Sequence, residues 1–179
     1  MANAKSEGLR RGSPWRVAGW TVAGVVLLIP LAAMQFTREV NWTVGDFMFA
    51  GLLIGTVGLA YELAVRSTGN RTYRGGVAAA LTASFLTVWV NGAVGMIGDE
   101  GNPYNLLFLG AIGLALAGAA LARFRSRGMA LAMVTAAIAQ GALSIGGMPA
   151  DLRGGILSLC FAAIWLLSAG LLRKAARDG

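Results

Sequence analysis

Along the chain, short polar clusters separate six apolar runs, at about 15–36, 44–66, 76–98, 104–123, 128–147 and 153–173. A helix rises 1.5 Å per residue, so about 20 residues cross a hydrocarbon core of about 30 Å, and each run is long enough. The predicted fold is therefore all-α: an integral membrane bundle of six transmembrane helices. The connections are about ten residues or shorter, which makes sequential helices antiparallel neighbours in such a bundle. The fifth run is the shortest, and a five-helix reading, with that segment lying at the membrane surface, is the alternative. Residues 1–14 are polar and read as a flexible N-terminus. The first run exceeds the usual signal-peptide core of about 7–15 apolar residues, so it reads as a helix, with Pro30 kinking it near its outer end.

Charge tests the count independently. Lys5, Arg10, Arg11 and Arg16 precede the first run, and Arg66, Arg71 and Arg74 fill the second connection. Arg123, Arg125 and Arg127 fill the fourth, and Arg173, Lys174 and Arg177 follow the sixth. These are thirteen of the fifteen lysines and arginines; Arg38 and Arg153 lie in the first and fifth connections. Positive residues are retained in the cytoplasm, so both termini are expected inside, with residues 174–179 a cytoplasmic basic tail. Six helices preserve this alternation and five break it.

Composition agrees: 56% of the 179 residues are hydrophobic and 13% charged, where a soluble domain carries about 25% charged. The mean hydropathy is +0.66 and the pI about 10.8. Because the basic residues sit between apolar runs, the partners expected for the net charge of +7 are anionic lipid head groups, not nucleic acid. Arg71, Arg74, Arg123, Arg125 and Arg127 are the candidate head-group contacts. There is no histidine, which removes His-ligated metal sites, Ser–His or Cys–His catalysis and a histidine pH switch. The one cysteine, Cys160, lies within the last run and reads as a packing residue.

Ionisable groups inside apolar runs are functional candidates. Glu62 is the clear case, one turn inside Arg66 at i, i+4, where the two can pair. Gly51, Gly55, Gly58 and Glu62 form one stripe, which turns Glu62 toward protein. Two readings stand: a carboxylate tied to Arg66, or to Arg71 or Arg74, that locks helices 2 and 3, or a proton or cation relay. Helix 3 carries a second stripe, Ala80, Ser84, Thr87, Asn91 and Gly95, repeated more sparsely by Gln140 and Ser144. Such groups bond across helices or line a polar path. Trp15, Trp20, Trp42, Tyr61, Tyr73 and Tyr104 fall near helix ends as interfacial anchors, while Trp89 and Trp165 lie deeper.

The connection after helix 3 holds Asp99, Glu100 and Asn102 between Gly98 and Gly101, before Pro103. It reads as a solvated turn and helix cap, or, with Asp46, as an outer-mouth site for a hard cation. Its pattern recurs. Asn91-Gly-Ala-Val-Gly95 with Pro103-Tyr-Asn105 is echoed by Gln140-Gly-Ala-Leu-Ser144 with Pro149-Ala-Asp151, and Arg-Gly opens both hairpins. Helices 3–4 and 5–6 read as parallel repeats, each proline starting the returning helix.

The segments Asn41-Trp-Thr-Val-Gly-Asp-Phe47, Tyr61-Glu-Leu63 and Trp89 through Asn105 resemble an uncharacterised family of small bacterial multi-pass inner-membrane proteins. The resemblance covers roughly residues 15–173 and implies a bacterial inner-membrane location with no assigned activity. No motif requires a cofactor or metal, and no catalytic constellation is found. The expectation is a non-enzymatic accessory, lipid-binding or assembly component, alone as a homo-oligomer or with a membrane-protein partner. The alternative is a small oligomeric ion or solute transporter or channel using Glu62 and the polar face of helix 3. A lipid-modifying enzyme comes third.

Overall fold

A computed structural model describes residues 14–178; the flexible segment expected over 1–14 and its Lys5, Arg10 and Arg11 fall almost wholly outside the described residues. The described residues form six α-helices: α1 (Pro14–Phe36), α2 (Val44–Ser67), α3 (Arg71–Ala93), α4 (Leu106–Leu121), α5 (Ser126–Gly147) and α6 (Leu152–Ala175). A single 3₁₀ turn, Pro103–Asn105, leads into α4, and no strand occurs among the described residues. All six, with α4 taken from Pro103, are long and apolar enough to cross a membrane. The fifth is 22 residues, so the five-helix alternative loses its premise; α4 proper, at 16 residues, is the shortest.

Local chemistry sets the ends. α3 starts at Arg71, not residue 76, because Asn70 caps it: its Oδ1 accepts from the Tyr73 N–H at 3.0 Å. It stops at Ala93, not residue 98, because Gly95 and Gly98 take φ of +81° and +75°, a region that L side chains avoid. Thr43 and Asp46 form a reciprocal cap on α2, with Asp46 Oδ2 accepting from Thr43 N–H at 2.7 Å and Thr43 Oγ1 accepting from Asp46 N–H at 3.3 Å. Pro103 does open its helical turn, but Pro149 lies in the turn before α6, whose cap is Asp151. Pro30 sits inside α1, which continues to Phe36.

Contacts gather into two units, Met1–Gly58 and Leu59–Gly179, so α2 is shared between them. In the first, α1 meets the early turns of α2 through small residues: Gly58 lies under the Trp20 ring and Gly51 beside Leu27, and Ala50 is buried. In the second, α6 is central. It packs on α5 and on α3, and α5 packs in turn on α4. The expectation that α3 and α4 are close neighbours fails, since α3 leans on α6 and touches α4 only slightly. The reason is the fit between α3 and α6: Ser168 Oγ donates to the Gly76 carbonyl at 2.7 Å, and Leu172 occupies the space a Cβ on Gly76 would need.

The seams are built from small residues, among them Ala80, Ala83, Ala115, Ala132 and Ala136, around the buried Trp165, Phe108 and Leu172. Small seams let helices approach closely where no hydrophobic effect drives them together. The outer faces are apolar instead: Phe36, Leu52 and Leu121 are 90%, 73% and 86% exposed, and exposed large apolar side chains occur on every helix but α3. A helix that is apolar all round belongs in lipid or a large core.

Two tyrosines depart from the anchor role. Tyr73 is buried, and its hydroxyl lies 3.0 Å from the Phe124 carbonyl and 3.2 Å from Met129 Sδ. It thereby holds the α4–α5 turn, where Arg123 and Phe124 both take left-handed φ, 50° and 58°. Tyr104 donates to the Leu143 carbonyl at 2.8 Å and joins the start of α4 to α5.

The α4–α5 seam yields a paired test. A Cβ on Gly118 would lie 2.5 Å from that of Ala132, whereas one on Gly113 meets nothing within 4 Å. Gly118→Ala should destabilise the purified protein by about 1–3 kcal/mol through forced separation of the helices. Gly113→Ala should be neutral or stabilising by up to about 1 kcal/mol. Thermal unfolding in one detergent checks both.

Candidate functional site

The carboxylate singled out inside α2 is accounted for locally. Glu62 pairs with Arg66 one turn on, and its side chain is 14% exposed against 62% for the arginine. Arg74 is not its partner. Its guanidinium crosses the α2–α3 turn and donates to the carbonyls of Val65 at 2.7 Å and Thr68 at 2.8 Å. These are among the last carbonyls of α2, which lack donors within the helix. A link between helices 2 and 3 is thus made by Arg74 with backbone and not by the Glu62 carboxylate. Arg74 is half-buried in that use, whereas Arg71, Arg123, Arg125 and Arg127 are exposed.

The α3 stripe is turned inward, with Ala80 and Thr87 buried and Ser84 and Asn91 partly so. Its bonds stay within α3, against the expectation of bonds across helices: Ser84 Oγ donates to the Ala80 carbonyl and Asn91 Nδ2 to that of Thr87. The interhelical network lies between α5 and α6. Gln140 Nε2 donates to Ser158 Oγ at 3.1 Å, and the Ser144 and Ser158 hydroxyls are 2.7 Å apart. All three residues are fully buried. Ser158 and Ser168 escaped sequence reading although they share a stripe with Trp165. Thr87 Oγ1, Asn91 Oδ1, Gln140 Oε1 and Trp165 Nε1 are buried without a hydrogen-bond partner.

The connection after α3 is a folded loop organised by the asparagine that ends the Pro103-Tyr-Asn105 motif. Asn105 is 4% exposed. Its Oδ1 accepts from the N–H groups of Met96 and Ile97 at 3.1 and 2.8 Å, and its Nδ2 donates to the Asp99 carbonyl at 2.7 Å. Asn102 closes the same loop through the Ile97 carbonyl. Asp99 Oδ1 accepts from Gly101 N–H, and both Asp99 and Glu100 are exposed, which is the solvated turn of the first reading. The outer-mouth cation site fares worse: no group of three Asp, Glu, Cys or His able to hold a metal occurs among the described residues. Asp46 is engaged in its cap.

Asp151 ties this loop to the α5–α6 turn. One carboxylate oxygen accepts from Gly98 N–H and the other from Gly154 N–H, both at 3.0 Å. The N–H groups of Gly154 and Gly98 favour its charged form and hold its carboxyl below the ordinary value of 3.8. The turns after α3 and after α5, named as echoes of one motif, are therefore in direct contact.

Geometry thus defines the class as an all-helical protein with six membrane-length helices, in whose second unit the turns after α3 and α5 interlock. No family model, no curated protein and no solved structure matches the chain.

Asn105→Ala would strand two buried N–H groups, each costing about 1–3 kcal/mol, and should lower the thermal midpoint sharply. Asp151 has its pKa lowered by folding, so the stability it contributes is complete above the ordinary carboxylate range and is lost as pH falls through the lowered value. Protection of the Gly98 and Gly154 N–H groups, measured against intrinsic exchange at each pH, should fall as pH drops below the ordinary carboxylate range, and Asp151→Ala should remove that acid-dependent step.

Proposed function

We propose that the chain is a multi-pass protein of the bacterial inner membrane, with both termini cytoplasmic, serving as a non-enzymatic accessory, lipid-binding or assembly component. The observation that carries this reading is how the candidate polar groups are used. Glu62 holds Arg66, Asp46 caps α2, Arg74 closes the α2–α3 turn, and Ser84 and Asn91 bond back to α3. What faces outward is apolar surface along the helices and arginine at one end. Orientation is supported by the antiparallel α5–α6 pair, which brings Arg127 and Arg173 to one groove.

A second reading, a small oligomeric transporter or channel, is favoured by the unpartnered Thr87, Asn91 and Gln140 groups, which water in a polar path would satisfy.

The first reading predicts that the protein stays in the membrane after carbonate washing, with Arg125→Cys labelled only from the cytoplasmic side. Native mass spectrometry after gentle extraction should find a stoichiometric foreign subunit or retained lipid. Reconstituted vesicles should show the flux of empty ones, unchanged by Glu62→Gln. A bare homo-oligomer with flux lost in Glu62→Gln would replace this reading with the second.

A further inference from the structure

At the basic end of the bundle, α5 and α6 diverge around a groove of about 760 Å³. Arg127 of α5, Arg173 of α6 and Arg177, two residues past the end of α6, stand along it, and below them its walls are apolar, with Val134, Leu166 and Gly170. All three arginines are exposed. None has an acidic partner among the described residues. No acidic residue lines the groove. From Arg127 to Val134 is two helical turns, about 10 Å along the axis. Gly170 leaves its part of the groove open, since a Cβ there would meet nothing within 4 Å.

Three guanidiniums at the mouth and hydrocarbon below describe an amphiphile with an anionic head and an apolar tail. We propose that this groove binds one anionic phospholipid, its phosphate held by Arg127, Arg173 and Arg177 and an acyl chain laid between Val134, Leu166 and Gly170. This inference deepens the lipid-binding reading above and rests on it. A free phosphate would use the arginines but not the apolar floor; an uncharged lipid would use the floor but not the arginines. Guanidinium geometry matches phosphate oxygens bidentately, which suits this head group better than a diffuse basic surface does. Basic pockets between transmembrane helices on the cytoplasmic side are where anionic lipid heads bind. Of the three arginines only Arg127 stands among the head-group contacts expected from the sequence; Arg173 and Arg177 were read there as tail and topology charges.

The test is native mass spectrometry of the full chain, delipidated in detergent and titrated with phosphatidylglycerol or phosphatidylcholine. One phosphatidylglycerol should remain bound at activation energies that strip phosphatidylcholine. Arg127→Gln and Arg173→Gln should each weaken retention about fivefold. Gly170→Leu, which fills the groove without a backbone clash and favours the helix, should abolish it while the thermal midpoint holds. Equal retention of both lipids would overturn the proposal. So would a Gly170→Leu variant that binds normally, or inorganic phosphate displacing the lipid completely, since either means that charge alone holds it. Failure of the underlying reading shows separately: protein released from membranes by carbonate overturns membrane embedding and the lipid with it. Embedded protein without the lipid preference overturns the groove alone.

Discussion

Pairing polar groups buried between apolar helices is the constraint on which this structure depends. With exposed large apolar side chains on every helix but α3, a polar group placed inward needs its partner within the protein. The chain meets this mostly by short-range means. Serines and asparagine bond back to the preceding turn of their own helix, Asp46 and Asp151 cap the starts of α2 and α6, and Arg74 serves the end of α2. Only a few bonds reach between helices: Ser168 to Gly76, Gln140 and Ser144 with Ser158, and the two tyrosine hydroxyls. Those few fix which helices are neighbours, because the alanine seams around them are too uniform to choose a register alone.

The same constraint explains why charge collects where it does. Glu62 lies one turn from the end of its helix, close enough for its partner Arg66 to remain exposed. The α4–α5 turn shows how far this goes. Arg123 and Phe124 take a backbone conformation that costs each about 1–2 kcal/mol, and glycine or asparagine would serve better there. Tyr73 compensates from α3 by holding the Phe124 carbonyl. An arginine at that position fits a chain in which positive charge at this end has a value that backbone comfort does not override.

The six spans were legible in the sequence because each is a run of apolar residues of membrane length, and that signal needs no partner. Helix ends were less so. The run continuing through Met96 and Ile97 is as apolar as a helix interior, yet Gly95 turns those two residues into a buried loop plug under Asn105. The pairing of Glu62 with Arg66 followed from their spacing. The roles of Asn105, Asp151 and Ser158 did not, since each depends on a residue brought near by tertiary structure. Neither did the α3–α6 neighbourhood: short loops favour sequential packing, and only the match of Gly76 with Ser168 and Leu172 reverses it.

That reversed neighbourhood has a consequence for how the protein is made. Ser168 and Gly76 are 92 residues apart. At about 5–20 residues per second, a ribosome needs roughly 5–20 s to produce the second after the first. During that interval α3 exists without its packing partner, with Thr87 and the open backbone at Gly76 uncovered. α4 and α5 emerge in between and can settle against each other, so the hairpin forms early and the core last. A nascent chain stalled before α6 would carry a complete set of earlier spans and still lack the interior of its second unit. Quality control would then have one clear signal of incompleteness, a third helix whose inward face has nothing against it.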